Sequence, residues 1–168
     1  YADNFYEIRV KINSRVFQLK GCVKMNGVEI DFVVTDSLKA LELYETIFDI
    51  KRIEVTDFSK GENEVIFEIY GVKFHMLDEN PQFHLFAPTA EDPKTMWVNV
   101  TVSNIKETYE KAIQSGCVEI QGVTEISELG LSNAIFMDPF NYIWMLHEVH
   151  REVSREEMMK FWEEKRDK

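Results

Sequence analysis

Four histidines supply the groups that titrate near neutral pH: His75, His84, His147 and His150. His75 sits in an alternating run, where a histidine is either hydrogen-bonded in a core or cavity, or a ligand and acid–base group. Glu29 begins an earlier strand-like run; beside His75 it would form an ion pair or a site, and otherwise it is a surface carboxylate. His147-Glu148-Val149-His150 spaces two histidines at i and i+3 on a strand, so they point to opposite faces. That differs from the helical His-Glu-x-x-His zinc motif. His84 falls in a proline-rich stretch and reads as surface. Cys22 and Cys117 have no metal-type spacing and read as reduced thiols, with nothing to activate Cys117. The chain has no glycine-rich phosphate loop and no G-x-S-x-G elbow.

The chemistry must be positioned by a chain of 168 residues and 19.8 kDa, one domain or two small fused modules. It carries 19 Lys+Arg against 30 Asp+Glu, a net charge of −11. Such a balance argues against nucleic acid and anionic membranes as partners. No apolar run nears the roughly 20 residues of a membrane helix, and the N-terminal stretch has no signal-peptide core. A cytoplasmic protein is the expectation.

An internal repeat organises the chain. Gly27–Thr35 and then Asp36–Ile50 read as an alternating strand followed by an amphipathic helix. Met96–Val102 and then Ser103–Gly116 repeat that order, with Glu29 and Trp97 68 residues apart. Asp36 or Ser37 caps the first helix, and Leu38, Leu41, Tyr44 and Phe48 form its stripe. Asn104 and Glu107 make a capping box for the second, with Ile105, Tyr109, Ala112 and Ile113 as its stripe. Strand-like runs follow each helix: Lys51–Thr56, Glu64–Tyr70 and Val72–Leu77, then Val118–Glu125, Ala134–Met137 and Ile143–Val149.

The expected organisation is an N-terminal extension (1–26) with a strand pair over Phe5–Lys20, a first β-α-β-β-β module (27–79), a linker (80–95), a second module (96–150) and a C-terminal helix (151–168) capped by Ser154. Alternation puts Ile30, Phe32 and Val34 on one face, and Glu29, Asp31 and Val33 on the other. In the second copy Val98, Val100 and Val102 oppose Trp97, Asn99 and Thr101. The apolar faces should lie under the helices, and the mixed faces should surround a common cavity.

The tandem pattern resembles the vicinal oxygen chelate superfamily, which includes glyoxalase I, bleomycin-resistance proteins and extradiol dioxygenases. Leu43-Tyr44 and Phe48-Asp49 stand where that superfamily has Phe-Tyr and Leu-Gly. The stretches MLDENPQFHLFAPT and DPFNYIWMLHEVHREVSREEM are similar to a glyoxalase-like branch found with phosphonate-utilisation genes. Asp138, Pro139, Phe140 and Trp144 match its turn-and-strand hallmark, whereas Asn141 replaces Gly and Arg155 replaces Pro.

The resemblance implies an α+β fold, a curved mixed sheet around a cavity, and a homodimer. It also implies metal-ligand positions at Glu29, His75, Trp97 and Met145. Trp97 offers no free lone pair and Met145 is a soft thioether, so only Glu29 and His75 suit a hard divalent ion. Three protein ligands are the usual minimum for a catalytic site. The expectation is therefore a small-molecule binder with no cofactor, its cavity lined by Glu29, Asp31, His75, Trp97, Asn99, Thr101, Met145 and His147. Such a lining suits a ligand with aromatic area and positive charge. The alternative is a lyase, isomerase or dioxygenase. There Glu29 and His75, with Asp31 or His147 recruited, would hold a divalent metal, or Glu29 or His75 would act as a base without one.

Overall fold

The computed structural model describes residues 30–166. The expected Phe5–Lys20 strand pair, Cys22 and Glu29 lie outside the described residues. The first module runs β1 (Ile30–Val34), α1 (Ser37–Ile47), β2 (Ile50–Val55), β3 (Glu64–Ile69) and β4 (Val72–Asp78). The second runs β5 (Trp97–Thr101), α2 (Ile105–Gln114), β6 (Val118–Ile126), β7 (Leu131–Met137) and β8 (Ile143–Val149), and α3 (Arg155–Arg166) follows. Each module forms a four-stranded sheet, in the orders β1-β4-β3-β2 and β5-β8-β7-β6. In both, the first strand pairs parallel with the last and the other pairs are antiparallel. This is the expected α+β architecture.

The caps follow the sequence. Asp36 accepts from Lys39 N–H at 3.1 Å, and Asn104 accepts from Glu107 N–H at 3.2 Å. Gly116 ends α2 at φ 94°, a conformation that costs glycine little. Ser154 Oγ accepts from Glu157 N–H while Glu157 accepts from Ser154 N–H, a reciprocal capping box for α3. The last strand of each module also reaches the start of its helix. Asp78 accepts from Ser37 N–H and Oγ–H, each at 2.7 Å, and Glu148 accepts from Ile105 N–H at 2.9 Å. Burial alone would raise the Asp78 carboxyl. The bonds from Ser37, Gly61 and Asn63 outweigh it and hold the group below the usual carboxylate value.

The apolar faces lie under the helices as alternation requires. Phe32, Val34, Phe67, Phe74 and Met76 of the first sheet are buried, as are Val100, Ala134, Phe136, Trp144 and Leu146 of the second. One core holds both sets together with Leu41 and Tyr44 of α1 and Ile105 and Ala112 of α2. The modules therefore join on their helix sides. The Phe32 ring lies 6.4 Å from Trp144 and stacks on Tyr142 at 4.7 Å; Tyr44 lies 5.0 Å from Trp144. The mixed faces, expected around a common cavity, lie on the opposite side of each sheet from this joint.

Asp138, at the start of the turn in the motif the sequence resembles, is the polar centre of the joint. Its carboxylate accepts from Tyr44 Oη–H at 2.7 Å and Trp144 Nε1–H at 2.8 Å, and from Phe140 and Tyr142 N–H. Burial raises its pKa against these four bonds. Asn141, which replaces the glycine of that motif, lies in the same turn. It adopts φ 69°, which asparagine tolerates, and its side chain donates to Pro88 O at 2.8 Å.

The third helix carries the apolar residues Met158, Phe161 and Trp162 at helical spacing. Met158 and Trp162 remain exposed and Phe161 is half-buried; α3 touches the body mainly at the short turn Ser127–Leu129.

Tyr44→Phe removes one donor from a buried carboxylate. It should cost about 1.5–3 kcal/mol in urea unfolding at pH 7. The lost bond favoured the ionised form, so the Asp138 pKa rises further above its unfolded value. A raised carboxyl destabilises the fold as pH climbs through that folded pKa. The deficit should therefore be larger at pH 7 than at pH 4.

Candidate functional site

The mixed face of the first sheet carries Asp31 on β1, Glu64, Ile66 and Glu68 on β3, and His75 and Leu77 on β4. Asp31 lies directly beside His75 in the parallel pair, and Ile66 faces it across the hairpin. The imidazole is 6% exposed. Its Nδ1 lies 3.4 Å from Asp31 Oδ1 and its Nε2 lies 3.2 Å from Glu64 Oε2. Both ring nitrogens thus have a carboxylate neighbour.

Glu64 was not among the residues expected in the site. Its signal was present in the two-residue connection Tyr70-Gly71. Once Ile69 pairs with Val72, Ile66 must face His75 and Glu64 falls on the same face two residues along.

The mixed face of the second sheet gathers the other expected residues. Trp97, Asn99 and Thr101 of β5 lie in register with Ile143, Met145 and His147 of β8. Asn133 and Ile135 of β7 continue the rows beyond His147 and Met145. Trp97 is 47% exposed and Met145 is half-buried. Gln121 Nε2–H donates to Asn133 Oδ1 at 2.7 Å. His147 Nε2 is buried without a hydrogen-bond partner among the described residues. The sheet separates His147 from His150, whose Nε2 instead lies 2.9 Å from Ser132 Oγ.

The structure therefore brings the expected residues together in two groups: Asp31 with His75, and Trp97, Asn99, Thr101, Met145 and His147. Internal symmetry relates them. Asp31↔His75 in the first module corresponds to Asn99↔Met145 in the second. Where one module places a carboxylate and an imidazole, the other places a neutral amide and a thioether. Cys117 contributes no nucleophile: burial, with Asp138 nearby, pushes its thiol up to about 12.

Of the four expected ligand positions, His75, Trp97 and Met145 are among the described residues and Glu29 is not. His75 already has Asp31 and Glu64 against its ring nitrogens, and Trp97 and Met145 carry no hard donor. Among the described residues, no group of three His, Cys, Asp or Glu is placed to hold a metal. Also among the described residues, no helix is long and apolar enough to cross a membrane.

No family model matches the sequence, nor does any curated protein. Solved structures do match the fold. The fosfomycin resistance protein FosX from Listeria monocytogenes, in complex with Mn(II) and sulfate, superposes with a TM-score of 0.58 at 16% identity, covering 84% of this chain and 99% of that one. A glyoxalase/bleomycin resistance protein/dioxygenase family enzyme from Burkholderia phytofirmans PsJN gives 0.58 at 16% identity, covering 72% and 96%. TioX from Micromonospora sp. ML1 gives 0.54 at 13% identity, covering 77% and 100%. These likenesses show that the chain has the fold shared by fosfomycin resistance proteins and glyoxalase/bleomycin resistance/dioxygenase structures.

Proposed function

We propose that this chain is a small-molecule-binding protein of the glyoxalase/bleomycin-resistance type, and that it holds its ligand without a divalent metal. One observation carries the reading. The second module presents Trp97 and Met145 where the resemblance puts metal ligands, and the His75 ring nitrogens are already flanked by Asp31 and Glu64. The Asp138–Trp144 turn and the Ser154–Glu157 cap support placing it in the phosphonate-cluster-associated branch.

The ligand would be aromatic with a positive charge. Trp97 offers a ring face for stacking and cation–π contact. The first sheet offers the Asp31, Glu64 and Glu68 carboxylates, and Glu29 joins this set in the proposal. Because the modules join on their helix sides, the two mixed faces would close around one ligand only across a homodimer. The first sheet of one copy would then cover the second sheet of the other.

His147 is the polar anchor of the second face. A buried, unpartnered nitrogen is a cost to the free protein. His147→Leu should therefore leave the melting temperature unchanged or raise it, while weakening ligand binding. A melting temperature lowered by the equivalent of about 1 kcal/mol or more would assign His147 to stability instead.

The metal question is settled by mass spectrometry of the dialysed protein, before and after loading with Mn, Zn, Ni or Fe(II). Metal well below one equivalent per chain, unchanged in Glu29→Ala and His75→Ala, is expected. About one equivalent, lost in either variant, would replace this reading with a metal-dependent lyase, isomerase or dioxygenase. A thermal-shift screen of cationic aromatic compounds should then yield stabilisers whose effect falls about tenfold or more in affinity on Trp97→Ala.

A further inference from the structure

The two modules treat one equivalent position differently. On the first, the free edge of β1 is covered by the β7–β8 connection, Asp138–Tyr142. The Tyr142 ring stacks on Phe32 at 4.7 Å, and its hydroxyl donates to Val33 O at 2.9 Å. On the second, the edge of β5 that pairs with no described strand faces the β3–β4 connection. That connection is the two-residue turn Tyr70-Gly71, with both residues at positive φ, 47° and 89°.

The strand registers identify the counterparts. Phe32 corresponds to Val100, Val33 to Thr101, Phe74 to Trp144, and Val72 to Tyr142. Valine cannot reach where tyrosine reaches. An open cleft of about 170 Å³ remains there, lined by Ile69, Tyr70, Val72 and Phe74 on one side and Val98–Thr101 on the other. Val102 N–H bonds to His147 O, so the Thr101 backbone groups point the other way, toward this free edge. The cleft thus has apolar walls and an edge carbonyl, as the Tyr142 site does.

We infer that this cleft is a second binding site, for a small planar aromatic molecule bearing one hydrogen-bond donor, a phenol or an azole N–H. Its ring would pack between Val72 and Val100 as the Tyr142 ring packs on Phe32. Its donor would reach the Thr101 carbonyl as the Tyr142 hydroxyl reaches Val33. A volume near that of the ~150 Å³ apolar cavities that take up benzene is sufficient for one ring. Tyr70 stands exposed at the rim, in a backbone conformation uncommon for a bulky residue. The site shares Asn99 and Thr101 with the mixed face but rests on the edge geometry, and shifts at Ile69–Phe74 tell the two apart.

The test is titration of phenol into the full chain, followed by amide correlation spectra, with anisole as the donor-free control. Saturable shifts should cluster in Ile69–Phe74 and Val98–Thr101, with phenol at least about threefold tighter than anisole. Val72→Tyr supplies the missing ring in cis and should weaken phenol binding about tenfold or more; Val72→Phe should do the same without the hydroxyl. Val72 is 48% exposed, so neither variant loads a packed core. The inference falls if the shifts map elsewhere, if anisole binds as well as phenol, or if both variants bind phenol like the parent. It falls equally if the variants dissociate a dimer, since the cleft then belongs to a side chain of a second copy. Shifts confined to the Trp97 indole would report the mixed face alone and would also overturn it.

Discussion

The buried Asp138 carboxylate is the interaction on which the two-module arrangement depends. It takes the Tyr44 hydroxyl from α1 of one module and the Trp144 indole N–H from β8 of the other. It also organises its own turn through Phe140 and Tyr142 N–H. That turn in turn delivers the Tyr142 ring to Phe32 and its hydroxyl to Val33 O. A carboxylate at 2% exposure is tolerable only because four donors converge on it. Moving any one element of the joint would strand a buried charge. This constraint gives the apolar interface a single register, which packing of Phe, Tyr and Trp rings alone would specify less sharply.

The same interaction explains what was legible in the sequence. Two motif fragments, Leu43-Tyr44 and the Asp138–Trp144 stretch, could be recognised 94 residues apart, but nothing in their spacing showed that Tyr44 and Asp138 touch. The repeat, the caps and the split of each strand into an apolar and a mixed face were legible because they depend on local periodicity and on side chains bonding within a turn. Asn141 shows the limit of motif matching. It departs from the glycine pattern but satisfies the same positive φ, and it gains a bond to Pro88.

What alternation could not supply was the partner across each strand and the side on which the modules meet. His75 was placed on a mixed face, but its neighbour Glu64 depends on the register set by a two-residue turn. The expectation of a common cavity treated the mixed faces as the natural meeting surfaces. Within one chain the helix sides meet, where Phe32, Tyr44, Phe48 and Trp144 lie within one cluster of ring contacts. The strongest hydrophobic demand chose the interface, and the polar residues were left where it was not.

That division of labour accounts for how one fold can serve unlike sites. The helix-side core and its buried carboxylates, Asp78 and Asp138, specify the β-α-β-β-β units and their joint. They contribute no group to the mixed faces. Residues such as Trp97, Asn99 and Met145 can therefore change type at little cost to the fold, since they project from strands whose other side does the packing. The residue to weigh most in such a scaffold is the one that stability does not explain. In this chain that is His147, whose buried Nε2 has no hydrogen-bond partner among the described residues.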